Sequence, residues 1–214
     1  DYVLGDNVEN LTLLENLVFS LPGPLLGTGN ELDNVLIGNS EDNVLSGGNG
    51  NDTLSGGSGL YRDSETIRSG SDLLIGGTGN DMYLFKVGDG LDTIQDVASA
   101  EEGNRIQFGT SIALTDLTFT QDQAARTLTI QVGSSGTDRL VLTNFDSAGA
   151  NGSLVVETLA FADGSTANLA ALLGGPVTHA PTLAAPLVDQ NVPEGVPLNF
   201  IVPARLPTRM RAMC

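Results

Sequence analysis

The residues on which hydrolases and disulfide-bonded domains depend are scarce in this chain of 214 residues. It has one histidine, His179, and one cysteine, Cys214. A single cysteine excludes an internal disulfide, and the sequence contains neither a Gly-x-Ser-x-Gly nor a His-Glu-x-x-His motif. No apolar run approaches the length of a membrane span. We therefore expect neither an enzyme active site nor a transmembrane segment in this sequence.

Basic residues are also few. Nine lysines and arginines face 26 aspartates and glutamates, which gives a formal net charge of −17. Between Gly27 and Asn104, 14 acidic residues are opposed by Arg62, Arg68 and Lys86 alone. So acidic a chain is a poor partner for nucleic acid or for an anionic membrane surface. The negative charge is concentrated in a segment with an internal repeat.

The repeat has a period of nine residues. Its clearest copies, residues 47–55 and 76–84, read G-G-N-G-N-D-T-L-S and G-G-T-G-N-D-M-Y-L. Counting back in nines gives residues 38–46 and 29–37, and partial copies begin at Gly56, Ser69 and Gly88. A disordered low-complexity tract would not keep a large apolar residue at the eighth position of successive nine-residue repeats. These residues are Leu36, Leu45, Leu54, Leu74, Tyr83 and Ile94.

This pattern, G-G-x-G-x-D-x-U-x, resembles the calcium-binding nonapeptide of RTX, or haemolysin-type, proteins. The resemblance implies an all-β fold, a parallel β-roll in which two nonapeptides form one coil of about 18 residues and calcium lies in the turns. Asn at the sixth position offers a weaker ligand for a hard cation than Asp does. The candidate metal ligands are Asp52, Asp72, Asp81, Asp92, Asn34, Asn43, Gly47, Asn49, Asn51, Gly76, Thr78 and Asn80.

Stacking of coils at the ordinary strand spacing of about 4.8 Å predicts that aspartates of successive coils are neighbours. We expect Asp52 beside Asp72, and Asp72 beside Asp92, provided that the inserted residues do not change the side of the stack on which each loop lies. Two carboxylates about 5 Å apart repel by about 3 kcal/mol at an effective dielectric of 20. A divalent cation bound by both reverses that sign, and its binding energy becomes folding energy. Residues 60–64 are predicted to form an enlarged loop, with Ile67 in the buried place, since strict counting would bury a lone Asp63.

The segments that flank the repeats also read as strands. Residues 1–28, with apolar alternation at 8–13 and a second apolar run at 17–19, predict an irregular first coil before the β-roll of 29–96. Residues 104–109, 138–145 and 159–165 resemble the β-rich module that follows haemolysin-type repeats in secreted bacterial proteins, which we assign to 97–173. Its predicted strands are 105–108, 117–120, 127–132, 139–143 and 154–161, and its predicted helix is 168–173.

The composition changes again after residue 173. Residues 174–187 read as a Pro-rich linker, and 188–214 resemble the start of a cadherin-like β-sandwich that is cut short. The last ten residues, 205–214, hold three of the nine basic side chains. Codons for this tail can be chosen that encode an acidic peptide in another frame, so we interpret it as a frameshift product.

Together these features predict a structural calcium-binding module, not an enzyme, within a large secreted bacterial repeat protein of adhesin type. The resemblance implies type I secretion in the unfolded state and folding on external calcium. The alternative is the non-catalytic secretion and folding module of an RTX toxin or secreted hydrolase whose catalytic domain lies upstream of Asp1. The expected partners are calcium ions and, through the parent protein, a cell-surface or matrix ligand. Because the chain begins at Asp1 without a signal segment, we expect it to be a fragment.

Overall fold

Short strands connected by tight turns make up almost all of the computed structural model, which describes residues 1–14, 24–60, 67–96, 102–147 and 154–174. The predicted strand at 17–19, the Pro-rich linker after residue 174 and the cadherin-like segment fall outside these residues, as do His179 and Cys214. In chain order the strands are β1 (Tyr2–Val3), β2 (Asn10–Thr12), β3 (Leu25–Thr28), β4 (Val35–Ile37), β5 (Asn43–Asn49), β6 (Thr53–Ser55), β7 (Gly59–Leu60), β8 (Ile67–Arg68), β9 (Leu73–Thr78), β10 (Met82–Phe85), β11 (Leu91–Gln95), β12 (Arg105–Phe108), β13 (Leu117–Asp122), β14 (Thr127–Val132), β15 (Asp138–Thr143), β16 (Thr158–Ala160) and β17 (Thr166–Asn168).

Two large sheets contain all of these strands except β7 and β8. The first sheet has the order β1-β3-β5-β9-β11-β15-β14-β13, and the second has the order β2-β4-β6-β10-β12-β16-β17. Strands pair in parallel from β1 to β15 and from β2 to β16. Along most of the repeat region the chain alternates between the two sheets, adding one strand to each in every coil. The fold is the all-β parallel roll that the nonapeptides predict.

Within the repeats, the core lies between the two sheets and is formed mainly by the eighth-position residues. Leu36 is paired with Leu54 and Leu54 with Tyr83 in the second sheet, while Leu45, Leu74 and Ile94 stack in the first. All of the predicted apolar residues are at most 1% exposed. Their neighbours on either side face outward, as the two-residue alternation of a strand requires. The predicted core of the repeats is therefore confirmed.

The irregular fourth nonapeptide contains an insertion. Hydrogen-bonded residues of adjacent coils are 18 residues apart between Asn34 and Asp52 but 29 apart between Asn43 and Asp72. The extra residues include the antiparallel pair β7 and β8, which joins neither large sheet. That Ile67 takes a buried place stays a prediction, while Leu74 is confirmed as a core residue of this coil.

Both sheets continue beyond the repeats. Strand β12 pairs with β10, and β15 pairs with β11, so the predicted module of 97–173 extends the roll itself. The sheets end in antiparallel strands, β14 and β13 in one and β17 in the other. The division at residue 96 stays a prediction about the sequence repeats, since both sheets run across it.

Of two elements predicted for this part of the chain, the strand is shorter than predicted and the helix is confirmed. The strand predicted over 154–161 is shorter, β16 alone, because Val155 has a φ of 61°, which extended backbone does not allow. The predicted helix at 168–173 is confirmed as α1 (Leu169–Leu172), and the Asn168 side chain caps it by accepting a hydrogen bond from the Ala171 N–H at 2.9 Å. No helix among the described residues is long and apolar enough to cross a membrane.

Candidate metal centre

The sixth residue of each nonapeptide lies within one residue of the start of a strand, and the sheets align these residues in two ranks. In the first rank the Asn34 N–H donates to Asp52 Oδ1 at 2.7 Å, the Asp52 N–H to Asp81 Oδ1 at 2.8 Å, and the Asp81 N–H to Asn104 Oδ1 at 2.8 Å. Each side chain therefore binds the backbone of the preceding coil. The first rank consists of Asn34, Asp52, Asp81 and Asn104.

The second rank consists of Asn43, Asp72 and Asp92 and repeats this geometry along the first sheet. The Asn43 N–H donates to Asp72 Oδ1 at 2.7 Å, and the Asp72 N–H donates to Asp92 Oδ1 at 3.1 Å. The predicted pair Asp72 and Asp92 is confirmed. The predicted pair Asp52 and Asp72 is wrong, because the insertion lies inside one nonapeptide and leaves these two aspartates on different ranks.

The second carboxylate oxygen of the rank aspartates has no hydrogen-bond partner. These residues are at most 2% exposed, so burying an unpaired carboxylate oxygen carries a large cost unless a cation or a proton meets it. Asn34 and Asn43 differ from the aspartates, because their side chains form hydrogen bonds within their own turns, to Asn30 and Asn39. The unpartnered atoms are Asp52 Oδ2, Asp72 Oδ2, Asp81 Oδ2 and Asp92 Oδ2.

Three of these orphan oxygens, all except that of Asp92, face the first glycine of their own nonapeptide. A Cβ added at Gly47 would collide with Asp52 Oδ2 and would lie 2.7 Å from the carbonyl oxygen of Gly76, one coil further on. At Gly29 the corresponding atoms are Asn34 Oδ1 and the Gly47 carbonyl oxygen. At these turns oxygens from two coils thus approach the glycine backbone closely, which only a residue without a side chain allows. We call this oxygen-lined contact the turn hollow of that glycine.

Oxygen-lined hollows of this kind suit a hard cation. Among the described residues, no three side chains of His, Cys, Asp or Glu form a metal-binding group. A cation here would therefore take much of its shell from backbone carbonyls and combine them with carboxylate oxygens, which is the donor set that calcium accepts at flexible coordination numbers of 6–8. The residues present fit calcium.

Without a cation the rank aspartates resist ionisation. Burial raises the pKa of Asp52 to about 6, and that of Asp72 and Asp81 to about 7. The pKa of Asp92 rises to about 8, first through burial and then through the charge of Asp72. The unfavourable free energy of ionising buried, neighbouring carboxylates is therefore concentrated in the two ranks.

The remaining predicted ligands have exposed side chains that bridge coils on the outside of the turns. The Asn80 N–H donates to Asn51 Oδ1 at 2.8 Å, and Thr78 Oγ1 donates to Asn49 Oδ1 at 2.8 Å. The Asn51 N–H in turn donates to Asp33 Oδ1 at 2.7 Å. These side chains are engaged in coil-to-coil hydrogen bonds, so a role as ligand would fall to the backbone carbonyls of these turns.

Three residues at the end of the first rank were missed by the sequence analysis. Asn104 closes the rank, and the signal for it was the apolar Ile106 two positions later, which repeats the spacing between the sixth and eighth positions. Asp96 is 2% exposed and accepts hydrogen bonds from the Tyr83 hydroxyl and, at 2.8 Å, from Asn104 Nδ2. Glu102 Oε1 accepts from the Gly79 N–H at 3.1 Å.

An acidic group also lies beyond the end of the second rank. Asp89 is 1% exposed, its Oδ1 has no hydrogen-bond partner, and burial raises its pKa. Asp138 Oδ2 accepts from the Gly88 N–H at 2.8 Å. Lys86 lies 4.0 Å from Asp89 but is largely exposed.

A match to a known repeat family agrees with this geometry. Residues 28–60 and 68–84 match the RTX calcium-binding nonapeptide repeat in four copies, so the chain carries repeats of that family and calcium is their ion. No curated protein matches the chain. Among solved structures, it is similar to the AlgE6R2 subunit of the mannuronan C5-epimerase of Azotobacter vinelandii, at 17% identity and a TM-score of 0.34, over 56% of this chain and 84% of that one.

Proposed function

We propose that this chain is a structural, non-catalytic calcium-binding module, in which calcium held in the turn hollows joins successive coils. The observation that carries the proposal is the set of buried, unpartnered carboxylate oxygens, three of which face a glycine hollow. Asp52, Asp72, Asp81 and Asp92 would supply the charged ligands. Bound calcium supplies positive charge between two coils.

The backbone contribution to these sites would come from the first glycines of the turns. The carbonyl oxygens of Gly47 and Gly76 point toward the preceding coil, at the hollows of Gly29 and Gly47. Asn34 and Asn43 would contribute neutral amide oxygens, which makes the sites of the first coil the weaker ones. Affinity is expected in the range of extracellular modules, roughly 10⁻⁴–10⁻³ M.

We propose an extracellular location, where calcium at concentrations in this range is available to such sites. We propose that the parent is a large secreted bacterial protein of adhesin type that leaves the cell by type I secretion and folds on meeting calcium. The net charge of −17 supports an unfolded metal-free state through self-repulsion. The alternative parent is an RTX toxin or secreted hydrolase with its catalytic domain upstream, and the sequence of the gene before Asp1 distinguishes the two.

The proposal is tested by far-ultraviolet circular dichroism during titration with calcium and, separately, with magnesium. Millimolar calcium should produce a β-rich spectrum. Magnesium at equal concentration should do much less, because its small octahedral shell fits carbonyl-rich turns poorly. A chain that is equally β-rich and equally heat-resistant in EDTA would contradict the proposed function.

A further inference from the structure

The third coil, in which the first rank approaches its end, has a turn hollow built differently from those below it. A Cβ added at Gly76 would collide with Asp81 Oδ2 and with the Tyr83 hydroxyl. In the hollows of Gly29 and Gly47 the second oxygen is a glycine carbonyl of the next coil. The tyrosine hydroxyl therefore lies where the lower coils place a backbone carbonyl.

Asp96 brings a further carboxylate to this turn from outside the matched repeats. Its Oδ2 accepts from the Tyr83 hydroxyl and from Asn104 Nδ2, and its Oδ1 accepts from the Gly77 N–H at a long 3.4 Å. Asn104 also donates to the Val155 carbonyl at 3.0 Å. The network joins the third coil to the strands that follow the repeats.

Three acidic side chains lie at this end of the first rank. Asp81 has an unpartnered Oδ2 and is 1% exposed, and Asp96 is 2% exposed in the same region. Glu102 binds the neighbouring Gly79 N–H. An oxygen that faces a hollow without a donor, beside a second buried carboxylate, is the arrangement that a divalent cation stabilises.

We propose that Asp96 is a calcium ligand that completes the last site of the first rank together with Asp81, and that Tyr83 lies next to the bound ion. Asp96 thereby adds a second carboxylate to this site, in which the Tyr83 hydroxyl lies at the position of the next coil's carbonyl. This inference rests on the proposed function, since it adds one site of different composition to the same rank. Its consequence is that the strands after the repeats are tied to the roll by calcium as well as by sheet pairing.

The position of Tyr83 permits a direct test with terbium, a luminescent ion that replaces calcium and is excited by an adjacent aromatic ring. The chain has no tryptophan and three tyrosines. Tyr2 is 57% exposed at the other end of the roll. The full chain should give terbium emission on excitation of tyrosine, and Tyr83→Phe should remove most of it. Undiminished emission from Tyr83→Phe would overturn the inference.

Asp96→Asn tests the ligand itself. Isothermal titration calorimetry should count one calcium ion fewer than in the unchanged chain, and terbium emission should fall by a similar extent as in Tyr83→Phe. The control is Asp33→Asn, which removes an exposed carboxylate that binds only the outer side of a turn through the Asn51 N–H. It should retain both the ion count and the emission. An unchanged count and emission in Asp96→Asn would overturn the inference.

Tyr83→Phe provides an independent result if Asp96→Asn does not fold. If Asp96 binds calcium, loss of the tyrosine hydroxyl leaves its carboxylate bound to the ion, and the calcium midpoint should stay the same or fall. If Asp96 only accepts hydrogen bonds, the same change leaves a buried carboxylate with one donor fewer, and a midpoint raised several-fold would overturn the inference. Calcium-induced β structure without terbium emission would refute this inference alone, whereas the absence of calcium-induced structure would refute the proposed function.

Discussion

The backbone N–H of Asp52 donates a hydrogen bond to Asp81 Oδ1 at 2.8 Å, although the two residues are 29 positions apart. This bond shows that the second and third coils stack in register despite the insertion inside the second coil. It also leaves Asp81 Oδ2 and Asp52 Oδ2 as the two unpartnered oxygens of the rank. The same carboxylate therefore joins coils through one oxygen and offers the other to a cation.

Asp52→Asn tests whether the second oxygen of this carboxylate binds the cation. The amide keeps the shape of the side chain but removes one charged ligand, so the midpoint of the calcium transition should rise roughly tenfold, equivalent to about 1.4 kcal/mol. Circular dichroism during calcium titration measures it. The control is Asp163→Asn, whose exposed carboxylate accepts from the Ser165 N–H and hydroxyl outside the ranks. Equal shifts in the two variants would refute the assignment of Asp52.

Gly47→Ala tests whether calcium binding at this turn requires a residue without a side chain. The new methyl group would collide with Asp52 Oδ2 and approach the Gly76 carbonyl, in the space proposed for the ion. Calcium affinity should fall by at least tenfold, about 1.4 kcal/mol. Gly5→Ala is a matched control, because nothing lies within 4 Å of its added Cβ. Isothermal titration should therefore show a loss of sites in Gly47→Ala alone, and calcium binding that is unchanged there would exclude this hollow as a site.

The metal-free chain should gain β structure, rather than lose it, as the pH falls from 8 toward 5. The folded-state pKa values of the rank aspartates, about 6 at Asp52 to about 8 at Asp92, lie above the unfolded value of about 3.9. The protonated carboxyls therefore stabilise the fold fully below about pH 4, and this stabilisation is lost as the pH rises through about 6 to 8. In EDTA, circular dichroism should show β structure increasing as the pH falls from 8 toward 5. Loss of structure over that interval would contradict these shifts.

Deletion of residues 59–69 should leave the roll intact. The remaining segment reads Gly56-Gly57-Ser58 followed directly by Gly70-Ser71-Asp72-Leu73-Leu74-Ile75, which is a complete nonapeptide. The Gly70 backbone lies against the Glu41 carbonyl of the preceding coil, as a fourth-position residue should. The calcium midpoint and the number of bound ions should match those of the full chain, as measured by titration calorimetry. Loss of two or more ions would show that the insertion supports the sites.

The sequence predicted the roll and its core because both follow from local periodicity. Leu54 and Tyr83 occupy the predicted eighth positions, since a nine-residue period fixes which side chain faces inward whatever the length of the preceding loop. The pairing of Asp52 with Asp81 could not be read in the same way. The insertion separates Ser58 from Gly70, the third and fourth positions of one nonapeptide, and counting along the chain treats it as an additional repeat.

The end of the first rank was hidden from the sequence for a different reason. The contact of Asp96 with Tyr83 joins residues 13 positions apart that belong to no common motif. The break at Val155 depends on a positive φ at a β-branched residue, which local propensity disfavours. Both features are set by how the strands after the repeats close the two sheets, and that closure is tertiary.

The antiparallel strands at one end of the molecule have a kinetic consequence. Strands β13, β14 and β15 follow one another through short connections, whereas each parallel pair of the repeats closes a loop of at least 18 residues. Loop closure costs more entropy as the loop lengthens, so this meander is expected to nucleate folding, and the coils should add to it in order toward the N terminus. Pulsed hydrogen exchange after calcium addition should protect the amides of Leu128 and Ile130 before that of Leu36.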